Sequence, residues 1–264
     1  MRVLFMGRKQ VARECLQVLS RTPGIAVIGI LTDSHLAHSP TAALARELRL
    51  PLFDYETACT AIDRGELTFD LGLSMLYWRK IKPPMLGHAR RGIVNFHPAP
   101  LPEYKGVGGY NLAILEGLQS WAATAHYVDE RIDTGGIIAQ EPVAINAATD
   151  TVVTLERRTN KGLLRLFERV LGQICKTDRS LPVTPNIGGR YLSRDELEAM
   201  KRIDLARDDV DRKIRAFWFP PYDGAYIEIG RQKYTLVDRS ILSSLADPAA
   251  SSLFTAPAPP HSKR

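Results

Sequence analysis

Short apolar runs that alternate with amphipathic stretches constrain the fold of this chain more than any other feature. Val3–Met6 and Ile25–Leu31 are continuous apolar runs of the kind found in buried strands. Residues 10–19, between them, place their apolar side chains on one helical face, and residues 39–48 begin with a Ser-Pro helix start. Two further strands are predicted at Leu71–Leu76 and Gly92–Phe96. Repeated strand–helix–strand order predicts a Rossmann-like α/β fold with a mostly parallel, doubly wound sheet.

In the second half of the chain, the regular alternation of strands and helices ends. Residues 98–110 are rich in proline and glycine and predict a loop, and a helix is expected at 111–116. Residues 123–128 and 136–143 are joined by a short charged turn, which predicts an antiparallel strand pair. A long helix is expected over residues 151–174, with Asp150-Thr151 as its cap.

The C-terminal third predicts a separate small unit. Residues 181–190 form a Pro/Gly linker, followed by predicted helices at 193–200 and 208–217 and a hairpin that turns at Gly230-Arg231. We therefore expect three parts: a catalytic domain at residues 1–185, a small C-terminal helix and β-hairpin module at 190–240, and a weakly ordered tail at 241–264.

Composition narrows the class of protein. The chain has 264 residues, 45% of them hydrophobic, and no apolar run approaches the ~20 residues of a membrane helix, so we expect no membrane partner. Its three cysteines show no metal-binding spacing, which predicts no metal site and a reducing, cytoplasmic location. The net charge of +6 favours anionic partners, but the chain has no arginine-rich tract.

The carboxyl end of the predicted strand at Gly92–Phe96 carries candidate chemistry. Asn95 and His97 are one residue apart, so they point to the same side of the strand, at the sheet edge where α/β proteins bind ligands. An amide and an imidazole facing one reacting atom suit acyl transfer. Spacing alone still favours a buried structural histidine. The glycines of a dinucleotide fingerprint are missing, which disfavours an NAD-dependent enzyme.

The charged turn at residues 129–135 is the second candidate. A carboxylate that returned from this turn toward His97 would orient the imidazole and raise its basicity. Asp129, Glu130 and Asp133 all lie on the turn, and periodicity does not select among them. Ordinary solvated turn chemistry is the alternative.

Two segments together resemble a known family. NFHPAPLPEYKG at residues 95–106 and TAHYVDERIDTGGII at residues 124–138 are similar to the signature of the 10-formyltetrahydrofolate-dependent formyltransferases. That family includes glycinamide ribonucleotide formyltransferase, methionyl-tRNA formyltransferase and the sugar N-formyltransferases. The resemblance covers roughly residues 1–180 in element order. One departure is Ala99-Pro100-Leu101-Pro102, where many members have Ser-Leu-Leu-Pro.

The resemblance implies the formyltransferase fold and a catalytic trio of Asn95, His97 and Asp133. It implies that an uncharged amine attacks the formyl carbon of N10-formyltetrahydrofolate, the co-substrate, and that no metal takes part. Asn95 and protonated His97 would stabilise the oxyanion that forms, and Asp133 would hold His97 and favour its charged form.

The resemblance also implies where the substrates bind. Folate is expected beside the charged turn and beside the segment that follows the family's fourth strand, which is the predicted strand at Leu71–Leu76 here. The residues are Leu76, Tyr77, Trp78, Arg79, Ile81, Asp129 and Ile132. A sugar nucleotide is expected at Arg8 and Lys9, at the 104–111 loop (Tyr104, Lys105, Gly106, Gly109, Tyr110, Asn111) and at the aromatic residues Trp218, Phe219 and Tyr222. Aromatic packing against the core is the alternative for Tyr77, Trp78 and the C-terminal aromatic residues.

Chain length separates the family members. The roughly 60 residues between linker and tail are too few for the C-terminal barrel of methionyl-tRNA formyltransferase. The resemblance therefore favours an N-formyltransferase for a nucleotide-linked 4-amino-4,6-dideoxyhexose of the GDP-perosamine type, in surface polysaccharide (O-antigen) biosynthesis. No nucleic acid partner is expected, and the apolar hairpin permits a homodimer. A methionyl-tRNA formyltransferase-like enzyme and a formyltetrahydrofolate hydrolase remain alternatives.

Overall fold

A seven-stranded sheet with helices on both faces forms the body of the protein. The computed structural model describes residues 1–32 and 39–245. The strands are β1 (Arg2–Gly7), β2 (Ala26–Leu31), β3 (Leu52–Phe53), β4 (Leu71–Met75), β5 (Ile93–His97), β6 (Tyr104–Gly106), β7 (Trp121–Tyr127), β8 (Ile137–Val143), β9 (Arg190–Leu192), β10 (Tyr226–Ile229) and β11 (Gln232–Thr235). The helices are α1 (Gln10–Ser20), α2 (Pro40–Glu47), α3 (Tyr55–Asp63), α4 (Met85–His88), α5 (Gly109–Leu115), α6 (Val152–Ile174), α7 (Arg194–Ala199), α8 (Val210–Phe217) and α9 (Arg239–Leu245).

The sheet has the order β3-β2-β1-β4-β5-β7-β8. Its first five strands are parallel, and β7 and β8 pair antiparallel to β5 and to each other. The prediction of a mostly parallel α/β sheet and of an antiparallel pair in the second half is therefore confirmed. β4 is the central strand and β5 is its parallel neighbour, so their carboxyl ends lie together at the edge where parallel strands present ligand sites.

Two apolar layers sandwich the sheet. On one face, Phe167 of α6 packs against Phe5 and Phe96, with ring centroids 6.5 and 5.2 Å apart. On the other face, Leu4 and Met6 of β1 pack with α3 and the segment around Met85. Val3 and Phe5 enter one layer and Leu4 and Met6 enter the other, and all four are fully buried. Burial on both faces explains why these residues form a continuous apolar run.

Helix caps follow the sequence signals. Ser39 accepts a hydrogen bond from Ala42 N at the start of α2. Thr151 forms a capping box with Thr154 at α6, and Ser193 forms one with Glu196 at α7. These polar side chains satisfy amide groups that have no partner within the helix.

Three parts of the fold differ from the sequence-based prediction. The short elements β3 and α3 were not expected. The predicted loop at 98–110 contains β6, which pairs in parallel with β9 on the far side of the predicted linker. The first residues of the predicted tail at 241–264 belong to α9 (Arg239–Leu245), and Ile241 is buried in the C-terminal core. Residues 246–264 lie outside the described residues.

The C-terminal module shares a core with the body of the protein. Ile214 and Phe217 of α8 pack with Ile114 of α5 and Val152 of α6. Asn111 Nδ2 also donates to the carbonyl oxygen of Ala216, over 2.7 Å. The predicted boundary near residue 190 therefore separates two units in sequence that are joined by apolar packing in space. Along the described stretches of the chain, no helix is long and apolar enough to cross a membrane.

Candidate active site

A cavity of about 360 Å³ opens at the carboxyl end of β4 and β5. Its lining combines side chains from these strands, the segments that follow them, the turn between β7 and β8, and the start of α7. The lining residues are Lys9, Ser74, Leu76, Tyr77, Trp78, Arg79, Lys80, Ile81, Asn95, Phe96, His97, Pro98, Gly106, Val107, His126, Val128, Asp129, Arg131, Ile132, Asp133, Tyr191 and Arg194. The volume lies within the range of small-molecule sites, which is about 300–1,000 Å³.

Asn95 is held by a chain of hydrogen bonds across three adjacent strands. The Ser74 hydroxyl on β4 donates to Asn95 Oδ1 over 2.8 Å. On the other side, Asn95 Nδ2 lies 3.1 Å from Nε2 of His126 on β7, in the register position directly opposite. Nδ1 of His126 lies 2.7 Å from the Tyr127 carbonyl oxygen, to which it donates, so its Nε2 accepts from Asn95. One amide N–H of Asn95 remains for a bound oxygen.

His97 is buried between a carbonyl group and a carboxylate. Its Nε2 lies 2.8 Å from the carbonyl oxygen of Tyr104, and its Nδ1 lies 3.5 Å from Oδ2 of Asp133. A carbonyl oxygen only accepts, so Nε2 carries the proton and Nδ1 presents its lone pair. Asp133 Oδ1 also lies 3.5 Å from His126 Nε2.

Of the acidic residues on the turn between β7 and β8, Asp133 is the one whose carboxylate lies next to His97. Asp133 has a left-handed backbone with φ of 54°, which is uncommon for a residue with a side chain. The carbonyl oxygen of Tyr127 passes so close to Gly135 that a Cβ there would lie 1.9 Å from it. Asp129 fixes the other end of the turn by accepting from the Thr134 hydroxyl over 2.6 Å. The turn is thus a folded structure rather than a solvated loop.

The surroundings lower the pKa values of both Asp133 and His97, for different reasons. Burial by itself raises the pKa of the Asp133 carboxyl, but His97, His126 and the Gly106 N–H together lower it to about 2. Burial lowers the pKa of His97, and it outweighs the opposing effect of Asp133. Asp133 raises the pKa of His97 and so favours the charged imidazole, which is the direction expected from the resemblance.

All seven residues predicted to bind folate line the cavity: Leu76, Tyr77, Trp78, Arg79, Ile81, Asp129 and Ile132. Trp78 and Ile132 are 50% and 42% exposed, so apolar surface is available at the rim. Tyr77 also packs partly against the core. Arg79 forms an ion pair with Glu56 at 2.5 Å.

The residues predicted to bind a sugar nucleotide are only partly brought together. Lys9 and Gly106 line the cavity, and the main chain of Tyr104 contacts His97. The others lie outside the lining and hold the fold. Three of them form hydrogen bonds within the protein: Lys105 Nζ donates to Gly188 O, Asn111 Nδ2 donates to Ala216 O, and the Arg8 carbonyl oxygen accepts from the Ser39 hydroxyl. The other three are packed: the Tyr110 hydroxyl is buried, Gly109 lies against Ala99 and Trp121, and Trp218 belongs to the C-terminal core.

An aromatic pair lies next to Lys9, beside the cavity. The rings of Phe219 and Tyr222 are stacked with an interplanar angle of 9° and centroids 5.6 Å apart. Lys9 Nζ lies 5.8 Å from the Phe219 centroid and forms an ion pair with Glu156 at 2.6 Å. Tyr222 is 59% exposed, so its outer surface is open to a ligand.

Sequence reasoning missed several groups of this site. Ser74 and His126 orient Asn95, and Arg131 and Arg194 add positive charge to the cavity lining. A usable signal existed for His126, because it lies near the end of its strand, just before the charged turn. Ser74 gave no comparable signal within its apolar run. In the described part of the chain, no group of three or more His, Cys, Asp or Glu could hold a metal ion.

Comparison with known proteins agrees with this geometry. The profile of the family described as formyl transferase matches residues 10–171. GDP-perosamine N-formyltransferase of Brucella melitensis is 30% identical over 92% of this chain and 95% of its own length. Methionyl-tRNA formyltransferase of Novosphingobium aromaticivorans is 26% identical over 94% of this chain and 84% of its own.

Solved structures share the fold. The crystal structure of a 4-N formyltransferase from Francisella tularensis superposes with a TM-score of 0.75, at 21% identity over 89% of this chain and 96% of that one. An N-formyltransferase from Helicobacter canadensis, solved with folinic acid and dTDP-3-aminofucose, has a TM-score of 0.69, at 23% identity over 88% of this chain and 85% of that one. The family match covers more than half of the chain, so this protein belongs to the formyl transferase family and is an N-formyltransferase.

Proposed function

We propose that this enzyme transfers a formyl group from N10-formyltetrahydrofolate to the amine of a nucleotide-linked amino-dideoxy sugar. The observation that carries the proposal is the convergence of Asn95, His97 and Asp133 in one cavity. The relatives support the acceptor class, because the Brucella protein that matches almost end to end is a GDP-perosamine N-formyltransferase.

The cavity suits a folate. Its inner wall carries apolar side chains such as Leu76, Ile81 and Val128, against which a flat ring packs. Its rim carries Lys80 and Arg131, for which the structure shows no ion-pair partner among the described residues. Such cations can hold the carboxylates of a glutamate tail. When bound, the folate supplies a formyl carbon that an amine can attack.

Asn95 and His97 divide the chemistry between them. The free N–H of Asn95 would donate to the formyl oxygen as that oxygen gains negative charge, which is a stabilisation of several kcal/mol for a well-aimed donor. The Nδ1 lone pair of His97 would accept the proton that the attacking amine must lose. The same proton would pass to N10 as the bond between the formyl carbon and N10 breaks and tetrahydrofolate leaves. The Tyr104 carbonyl, 2.8 Å from Nε2, fixes the tautomer that makes Nδ1 available.

Asp133 acts on the charged form of His97. Its carboxylate lies 3.5 Å from Nδ1, so it stabilises the imidazolium once the proton has arrived. With its pKa held at about 2, it stays ionised and does not compete for that proton. The favourable electrostatic interaction thus appears as the reaction proceeds, which is the condition for lowering the barrier.

The sugar nucleotide is assigned to the side of the cavity nearest Lys9. Lys9 can meet a phosphate, and the exposed face of Tyr222 beside it can stack on a base or sugar. By the name of the Brucella relative, we assign GDP-perosamine, a 4-amino-4,6-dideoxyhexose linked to GDP, as the acceptor. The product would enter surface polysaccharide (O-antigen) synthesis.

The setting of the reaction completes the proposal. We place the enzyme in the cytoplasm, since Cys15, Cys59 and Cys175 are all free thiols. A homodimer through the C-terminal hairpin is proposed because Ile229 is 62% exposed on it.

A second candidate acceptor is an aminoacyl-tRNA. The similarity to methionyl-tRNA formyltransferases over most of both chains favours it. The region after the linker disfavours a tRNA acceptor, because its described elements are short helices and one hairpin rather than a barrel. A tRNA acceptor would also give a steep salt dependence of binding.

A turnover screen tests the proposal. The purified protein is mixed with N10-formyltetrahydrofolate and with GDP-, dTDP- or UDP-linked 4-amino sugars, or with methionyl-tRNA, and formylated product is measured by mass spectrometry. We expect product from the GDP-linked sugar and none from His97→Ala. Product from tRNA alone, or formate released equally without an acceptor, would overturn the assignment in favour of the tRNA enzyme or a hydrolase.

The aromatic pair gives a separate test of the nucleotide position. Tyr222→Ala removes an exposed stacking surface outside the catalytic cavity. We expect KM for the sugar nucleotide to rise about tenfold, because a base–aromatic stack is worth about 1–3 kcal/mol. KM for the folate should not change, and Tyr234→Ala on the exposed hairpin is the control. Equal KM values for the two variants would remove Tyr222 from the site.

A further inference from the structure

The linker between the two units contacts the catalytic turn directly. Asn186 Nδ2 donates to the carbonyl oxygens of Asp133, over 3.0 Å, and of Gly135, over 2.9 Å. One side-chain amide thus bridges both sides of Thr134. Asn186 lies beyond residues 10–171, the stretch matched by the family profile.

The conformation that these bonds hold is an unusual one. Asp133 has a φ of 54°, a region that residues with a side chain rarely occupy. The side chain of Asp133 is fixed separately, since Oδ2 accepts from the Gly106 N–H over 3.0 Å. Asn186 is the contact that fixes its main chain from outside the turn.

Asn186 itself is placed by regular pairing on both sides. Two residues earlier, Thr184 exchanges two backbone hydrogen bonds with Ile137 at the start of β8. Two residues later, Gly188 O accepts from Lys105 Nζ over 2.7 Å, and β9 then pairs with β6. The amide is therefore presented on a segment tied to the body of the protein at both ends.

We propose that Asn186 is a positioning residue that acts through Asp133, setting the carboxylate at the distance from His97 that the reaction requires. The proposal rests on the proposed formyl transfer for the role of Asp133. Without the two N–H donors, the main chain of the turn relaxes toward ordinary backbone angles. The Gly106 N–H bond to Oδ2 is then not enough to keep the carboxylate at its distance from His97. A displacement of about 1 Å at a catalytic group can lower a rate by about 10²-fold.

A double-mutant cycle tests the proposal. Asn186→Ala, Asp133→Asn and the double variant are compared in kcat/KM for formyl transfer and in the pH titration of His97, followed by NMR of its ring protons. The His97 signal is assigned by its loss in His97→Asn. We expect Asn186→Ala to lower kcat/KM about 10- to 100-fold and to shift the His97 titration to lower pH, as Asp133→Asn does. In the Asp133→Asn background it should change neither quantity.

The control is Ile187→Ala, a truncation at the next linker residue, whose side chain is 80% exposed. It should behave as wild type. Asn186→Leu, which keeps the volume and removes both donors, replaces the alanine variant if that variant does not fold.

Two results would overturn the proposal. One is an unchanged His97 titration in a folded Asn186 variant. The other is an equal loss of activity in both backgrounds, which would show an action independent of Asp133. The NMR titration requires no substrate, so it decides the positioning role even where the screen finds no turnover and the proposed function fails.

Discussion

Replacing Asp133 by asparagine isolates the electrostatic contribution that drives proton transfer to His97. The side chains of Asp133 and His97 are 10% and 7% exposed, and the interacting atoms are 3.5 Å apart. With an effective dielectric constant of about 20, a full pair of charges at that distance is worth about 5 kcal/mol. Half of a transferred proton at the transition state would use about half of that. We therefore expect kcat to fall roughly 10- to 100-fold.

The pH dependence of kcat/KM in the same variant gives an independent test, because the direction in which its acid limb moves is predicted. In the wild type, His97 must be neutral to accept a proton, and burial lowers its pKa, so kcat/KM should fall on the acid side with a midpoint below the ordinary 6.5. Asp133 raises that pKa, so its loss should move the acid limb to still lower pH. The assay is the initial rate of formyl transfer between pH 4.5 and 8.5 over a range of acceptor concentrations, which gives both kcat and kcat/KM.

Glu130→Gln is the matched control, because it makes the same carboxylate-to-amide change on an exposed position of the same turn. It should leave both kcat and the acid limb unchanged. A kcat within threefold of wild type for Asp133→Asn, or an acid limb displaced to higher pH, would refute the electrostatic reasoning. Thermal unfolding of each variant confirms that the compared proteins are folded.

Two further predictions concern the neighbours of the catalytic groups. Ser74→Ala removes the hydroxyl that donates to Asn95 Oδ1, a loss of about 1 kcal/mol that should lower kcat about fivefold without changing KM; an unchanged kcat would show that Ser74 does not orient the amide. Gly135→Ala would place a Cβ 1.9 Å from Tyr127 O and should lower the free energy of unfolding in urea by about 3 kcal/mol. Gly172→Ala, with nothing within 4 Å of its added Cβ in α6, should instead be neutral or stabilising by up to about 1 kcal/mol, and similar losses in both would contradict the close approach.

The parts of the fold predicted from sequence are those with strong local patterns. The strands β1, β4 and β5 are short apolar runs, and α6 has both a cap at Thr151 and a long apolar face. By contrast, β3 has only two residues, and β6 exists because β9 pairs with it across more than 80 residues of chain. Such pairing has no local signal, so a Pro/Gly-rich segment reads as loop.

In the site, too, local sequence patterns predict some residues, whereas long-range contacts determine the others. Alternation along β5 places Asn95 and His97 on one side, but choosing Asp133 over Asp129 and Glu130 required the family resemblance. The turn geometry that selects Asp133 depends on Gly135 passing Tyr127 and on Asn186, which lies 53 residues away. The charge state of His97 was also beyond sequence reasoning, because it depends on how completely the imidazole is buried.

The short pairing of β6 with β9 also has a kinetic consequence. This pairing closes a long loop but joins only three residues of each strand. Few contacts therefore offset the conformational entropy that is lost when the loop closes. The seven-stranded sheet and its two apolar layers can form without it. During refolding, the linker should therefore dock after the sheet has formed, and enzymatic activity should return later than the secondary structure measured by circular dichroism.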